Sequence, residues 1–236
     1  MTLSRLASGL AVLAVLAVLG TTVTAVAAYT HRDDAGPVAA APAGPRPGHA
    51  FAGGRFLRGG GARVEVPAPA DGWTPKGGDV VVYYVDRRGD PAVGVRGPAV
   101  FRDGYCARRP GGSNRGFVGF APPATGVSVR AASTALGRRW VRAVALDGDL
   151  RTSSPHTPLR TRPLTLADGT PAVRSTSRIR VADRRPCGAP EVVVTLVSVQ
   201  TGGRVATLVM VRDTGVRGAL SNRLADRILG TLTTRR

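Results

Sequence analysis

EVVVTLVSVQTGGRVATLVMV, residues 191 to 211, is the stretch on which the fold turns. Glu191 to Val199 and Arg204 to Val211 are strongly β-prone runs flanking Thr201-Gly202-Gly203, the pattern of a β-hairpin. Outward from it, further strands are expected at Arg63 to Val66, Asp79 to Tyr84, Ala92 to Val95, Ala99 to Phe101, Leu164 to Leu166 and Ala172 to Val181. Gly97-Pro98 reads as a break, and Pro122-Pro123 as the end of the short apolar piece Gly116 to Phe120. Arg151 to Pro163 reads as a polar, Pro-containing loop. Two segments change to a helical period. Ser128 caps the first, which runs to about Leu146 with Ala132, Leu136, Trp140 and Val144 four apart. The second, Ala219 to Leu232, carries Leu220, Leu224, Ile228 and Leu232 at the same spacing. Trp73 reads as an aromatic anchor of the core or its rim, and Trp140 as one in the core.

At the other end, Leu6 to Ala28 holds 23 residues without a charge behind Arg5. About 20 apolar residues suffice to cross a bilayer. The same stretch also has the parts of a cleaved signal, with Ala25-Val26-Ala27 in A-x-A form. Residues 1–28 are thus a signal peptide or a single transmembrane helix, and either delivers the rest of the chain outside the cytoplasm. Residues 29–61 read as a linker, of which Ala35 to Gly61, rich in Pro, Ala and Gly, spans about 30 Å as a random coil. In it Phe51, Phe56 and Leu57 are candidates to dock on the domain edge, and His49 reads as exposed filler. The exported domain is expected over 62–236. Outside the cytosol two thiols in one domain usually pair, which makes Cys106 and Cys187 a candidate disulfide. Two separate buried thiols and a metal site are the rival readings, and the second lacks local C-x-x-C or H-x-x-x-H spacing.

The net charge is +18, and of 33 basic residues only Lys76 is lysine. The skew reads in part as GC-rich coding, yet the charge still favours polyanions such as lipid head groups, wall polymers or nucleic acid. Export makes nucleic acid the least expected of these. Arg138, Arg139 and Arg142 on the first helix, with Arg174, Arg178 and Arg180 on one strand, form the candidate surface for an anionic partner. The plain alternative is a set of solvated charged faces.

Catalytic constellations are missing. Of the three histidines, His31 and His49 precede the expected domain and His156 sits in a Ser/Pro loop, so no Ser-His-Asp or Cys-His arrangement is suggested. Gly111-Gly112-Ser113-Asn114-Arg115 fails the G-x-S-x-G pattern at its last position. Gly59-Gly60-Gly61 precedes a strand and not a helix, so no phosphate cradle follows. Most acids occupy turn positions. No catalytic, cofactor-binding or metal-binding residue is expected.

Several segments together resemble a family of actinobacterial cell-envelope proteins of unknown function. They are Val64-Glu65-Val66-Pro67 with Trp73, Val93 to Phe101 running into Asp103-Gly104-Tyr105-Cys106, and the helix with Ala132, Leu136 and Trp140. Pro186-Cys187 and Val209 to Gly215 complete the set. That family is similar in fold to PsbP-type and LpqN-type domains. The resemblance implies an α+β class with a central antiparallel sheet flanked by two main helices, about 128–146 and 219–232, behind an N-terminal hydrophobic helix. It also implies pairing of Cys106 with Cys187, no catalytic residues, and a binding or assembly role toward an envelope protein, an anionic lipid or a wall polymer. The chain departs from the family in its heavier arginine content and in having no long Pro-rich tail before the apolar segment. A secreted hydrolase of unrecognised type and a passive structural envelope protein are the alternatives.

Overall fold

Both sides of the 191–211 hairpin are apolar. Val194, Leu196, Val209 and Val211 are buried in one hydrophobic cluster, while Val197, Val199, Leu208 and Met210, which alternate with them, are buried in another. A strand buried on both faces needs a covering layer on each. The computed structural model describes residues 49–108, 113–182 and 187–234, and the hairpin lies at the centre of a sheet covered in that way. Leu6 to Ala28, and with it the expected hydrophobic helix, lies outside the described residues. Among those described, no helix is long and apolar enough to cross a membrane.

The strands are β1 (Arg55–Gly59), β2 (Ala62–Val66), β3 (Trp73–Pro75), β4 (Val81–Val85), β5 (Pro91–Phe101), β6 (Gly116–Thr125), β7 (Arg160–Thr165), β8 (Pro171–Arg180), β9 (Glu191–Thr201) and β10 (Arg204–Thr214); the helices are α1 (Val129–Ala145) and α2 (Asn222–Gly230). The main sheet is antiparallel, ordered β3-β5-β6-β10-β9-β8-β7, with β4 also paired to β5. Helix α1 covers one face, its Trp140 fully buried among Val82, Phe117 and Leu196. A two-stranded sheet of β1 and β2, together with α2, covers the other. The architecture is the expected α+β class with an antiparallel sheet and two helices.

Four expectations about elements change. Strand β5 runs straight through Gly97-Pro98, because a register shift against β6 between Arg96 and Ala99 absorbs the irregular pair. Strand β6 likewise continues past Pro122-Pro123, where β10 shifts register between Val205 and Thr207. Helix α2 is shorter than 219–232: the Ser221 hydroxyl accepts the Leu224 amide at 3.2 Å and starts the helix there. Leu220 and Leu232 are buried just outside it. Strand β7 begins at Arg160, inside the segment read as a loop.

The largest revision concerns the linker. Its described part, 49–61, is folded: β1 pairs along its length with β2, and Phe51 and Leu57 are buried. The physical reason is Glu65, only 2% exposed. A buried carboxylate must be hydrogen-bonded, and this one accepts from the Ala50 amide at 2.6 Å, the Phe51 amide at 3.2 Å and the His49 ring nitrogen at 2.9 Å. Arg227 of α2 lies over the Phe51 ring and donates to the Ala50 carbonyl. His49 is therefore half-buried structure and not filler.

Cys106 and Cys187 form a disulfide with Cα atoms 5.9 Å apart. It ties the β5–β6 connection to the β8–β9 connection across 81 residues. Closing a loop of that length stabilises by about 4–5 kcal/mol in the chain-entropy account. Tyr105 and Arg115 donate to the Cys187 carbonyl, and Arg115 pairs with Asp213 at 3.0 Å. Burial raises the Asp213 carboxyl above its ordinary value, and Arg115 opposes the rise.

Gly59 shows how tightly β1 meets the sheet, since a Cβ there would overlap Cβ and Cγ of Phe120. Gly59→Ala is expected to destabilise the domain by about 1–3 kcal/mol through overpacking. Chemical denaturation should show a lower midpoint with an unchanged slope; an unchanged midpoint would contradict this packing.

Candidate ligand-binding groove

The second covering layer is narrower than the sheet. Six strand spacings at about 4.8 Å make the main sheet about 29 Å wide, while one helix of about 10 Å and one further strand spacing cannot span it. The face of β7 and β8 beyond α2 is left uncovered, and there a groove of about 680 Å³ opens. That size lies within the range of small-ligand sites.

Strand register fills its rim with arginines. Side chains opposite one another on paired strands share a face, and Arg160 faces Thr176, Arg162 faces Arg174 and Leu164 faces Ala172. Ala172 belongs to the cluster on the α2 side, so Arg160, Arg162, Arg174 and Arg178 project to that side and line the groove. Leu164, Leu166, Val197 and Leu229 supply an apolar floor, and Thr157 and Thr176 add hydroxyls. Asp226 is the acid in the lining.

Two of these arginines are neutralised within the protein. Arg174 pairs with Asp226 at 2.8 Å, and Arg178 with Glu191 at 2.7 Å. Burial acts to raise the Glu191 carboxyl, but hydrogen bonds from Thr214 and Arg178 overcome it and leave the group below its ordinary value. Arg160 and Arg162, both exposed, make no ion pair among the described residues. Arg162 nevertheless sits directly opposite Arg174, a like-charge pairing that costs stability. Nearby Arg212 is pushed below its ordinary value, first by burial and then by the charge on Arg178, with Arg174 adding to it. The groove is electropositive.

The six arginines expected to form one surface divide between two faces. Arg174, Arg178 and Arg180 alternate along β8 with Ser175, Ser177 and Ile179, and Ile179 belongs to the α1-side cluster. Arg174 and Arg178 enter the groove; Arg180 does not line it. Arg138, Arg139 and Arg142 stand exposed on α1, across the sheet, and Arg139 donates to the Ala92 carbonyl at 2.5 Å. Arg160 and Arg162 were missed because Pro158 and Pro163 made their segment look like a loop. The legible signal was the alternation of Arg160, Arg162 and Leu164, with a proline that an edge strand tolerates. His156 is exposed, 3.1 Å from the Thr157 carbonyl, and outside the groove lining. Among the described residues no cluster of three metal-ligating side chains occurs.

Residues 58–235 match the family described as a domain of unknown function, DUF8017. The chain belongs to this family. The matched span opens within β1 and takes in the whole main sheet, both helices and the groove, so the DUF8017 domain and the folded unit nearly coincide. No curated protein matches this chain.

One end of the groove in the DUF8017 domain is the β7–β8 turn, and Asp168 fastens that turn to the chain end. Its carboxylate accepts from the Thr233 hydroxyl at 2.6 Å, the Thr234 amide at 3.1 Å and the Thr170 amide at 3.0 Å. Burial works to raise its pKa, but these donors hold it far below the usual carboxylate range. A carboxyl lowered on folding adds stability that is present at neutral pH and is lost as the pH falls below about 4. Asp168→Asn should therefore lower the melting temperature at pH 7 and flatten its fall between about pH 5 and 2. An acid dependence identical to that of the parent protein would contradict this latch.

Proposed function

We propose that this DUF8017 domain is a non-catalytic binding module that holds an anionic ligand in the groove between β7, β8 and α2. The observation that carries the reading is the pair Arg160 and Arg162: two cations without an internal ion pair among the described residues, on the rim of a cavity large enough for a ligand. An uncompensated like-charge cluster lowers stability, and an anion relieves it through charge-assisted hydrogen bonds. The arginines of α1, on the far face, make a solvated surface in this account.

The site is proposed to work outside the cytoplasm, as a secreted or membrane-anchored domain of the cell envelope. The disulfide supports this, since such bonds persist in oxidising compartments. So do the charge-free stretch Leu6 to Ala28 and the resemblance to actinobacterial envelope proteins and to PsbP-type and LpqN-type domains.

The test is titration of the full chain, held in nanodiscs of zwitterionic lipid, with polyphosphate. Binding is expected to weaken as salt rises from about 0.05 to 0.3 M. The double variant Arg160→Gln/Arg162→Gln should lose about tenfold in affinity, the scale of one charge-assisted hydrogen bond. Arg138→Gln/Arg142→Gln should change it by less than about twofold. Equal losses in the two variants, or the absence of salt-sensitive binding of both polyphosphate and a short alkyl phosphate, would overturn the assignment.

A further inference from the structure

The two halves of the groove differ in chemistry, and the division is ordered along β7. At its start, Arg160 and Arg162 point to the groove about 7 Å apart, two residues along an extended strand. Thr176 lies opposite Arg160. Further along the same face come Leu164 and then Leu166, which is 5% exposed, with Leu229 of α2 contributing to the same floor. Arg174 is held by Asp226 and Arg178 by Glu191, so the uncommitted positive charge is confined to the Arg160 end. Asp226 would repel a second anionic group placed beside it.

A polyanion with evenly spaced charges matches this arrangement poorly. It would leave the leucine floor uncovered and bring negative charge against Asp226. A neutral apolar ligand would leave Arg160 and Arg162 unanswered. From this polarity we infer that the ligand is an anionic amphiphile: one phosphate or carboxylate head held by Arg160 and Arg162, with an acyl or alkyl chain lying over Leu164, Leu166 and Leu229. The inference rests on the groove being the binding surface and adds the class of ligand. Phosphate and carboxylate heads share the recognition chemistry, and a paired series distinguishes them.

The experiment uses the full chain in zwitterionic nanodiscs and n-alkyl phosphates and n-alkyl carboxylates of increasing length, below their micelle concentrations. Binding is read from the backbone amide shifts of Thr165, Ala167 and Ser177, which line the groove, with empty nanodiscs measuring partition into lipid. Affinity corrected for that partition should rise by about fourfold for each methylene buried, then level off once the floor is filled. Arg160→Gln/Arg162→Gln should lose about tenfold at every chain length and keep the gain per methylene. Leu164→Gln should flatten the gain and spare the shortest members. The tighter of the two series identifies the head group.

Groove binding of polyphosphate with no gain over the alkyl series would leave the groove assignment standing and overturn the amphiphile. A chain-length gain that survives unchanged in Leu164→Gln, or one not accompanied by shifts at the groove amides, would overturn it as well. If neither polyphosphate nor any alkyl anion moves those amides, the groove assignment falls and this inference falls with it. Should Leu164→Gln fail to fold, the length series on the parent protein and on the arginine variant still decides.

Discussion

The β9–β10 hairpin is apolar on both faces, and this constraint organises the molecule. An antiparallel sheet commonly leaves one face to water, but here Val197, Leu208 and Met210 need cover as much as Val194, Leu196 and Val209 do. Helix α1, 17 residues and about 25 Å long, supplies one layer. The other is assembled from the two ends of the folded unit. The Thr231 hydroxyl accepts from the Glu65 amide at 2.9 Å, and the Arg63 and Thr233 backbones bond reciprocally at 2.9 Å. The buried Glu65 carboxylate then draws residues 49–51 onto this layer. Two short strands and a nine-residue helix are less than the sheet requires. What they fail to cover is the strip of β7 and β8 that carries the groove.

That strip breaks a local rule. Arg162 opposite Arg174 would be avoided in a sheet selected for stability alone, and such violations concentrate where function demands them. The protein relieves part of the repulsion through Asp226 and Glu191 and leaves the Arg160 end unrelieved. Pro163 lies within β7 at the sheet's edge, and proline on an edge strand discourages pairing with another chain. The face of β7 is therefore the more suitable part of that strand for contact with a ligand.

How much of this was legible depended on whether the signal was local. The central hairpin and α1 could be read directly, because Gly202-Gly203 and the spacing of Ala132 and Trp140 act within one segment. The ends of α2 could not be read from spacing, since Leu220 and Leu232 continue the helical period while packing from non-helical backbone. Strand β1 was hidden by its glycines, and its reason for folding, the Glu65 carboxylate and the close approach to Phe120, lies elsewhere in the chain. The arginines of β8 were found by alternation, but their separation from those of α1 depends on which side of the sheet each faces. The alternation of Arg160, Arg162 and Leu164 was local, but the side of the sheet it faces followed only from the register of β7 with β8.

Incomplete cover of the sheet is proposed to create the contact surface of this DUF8017 domain. A map of amide chemical-shift changes over the whole domain on titration with octyl phosphate tests it most directly. Changes are expected only in β7, β8 and the Asp226 to Gly230 end of α2, with α1 silent. Changes centred on Arg138, Arg139 and Arg142, or spread evenly over both faces, would contradict it.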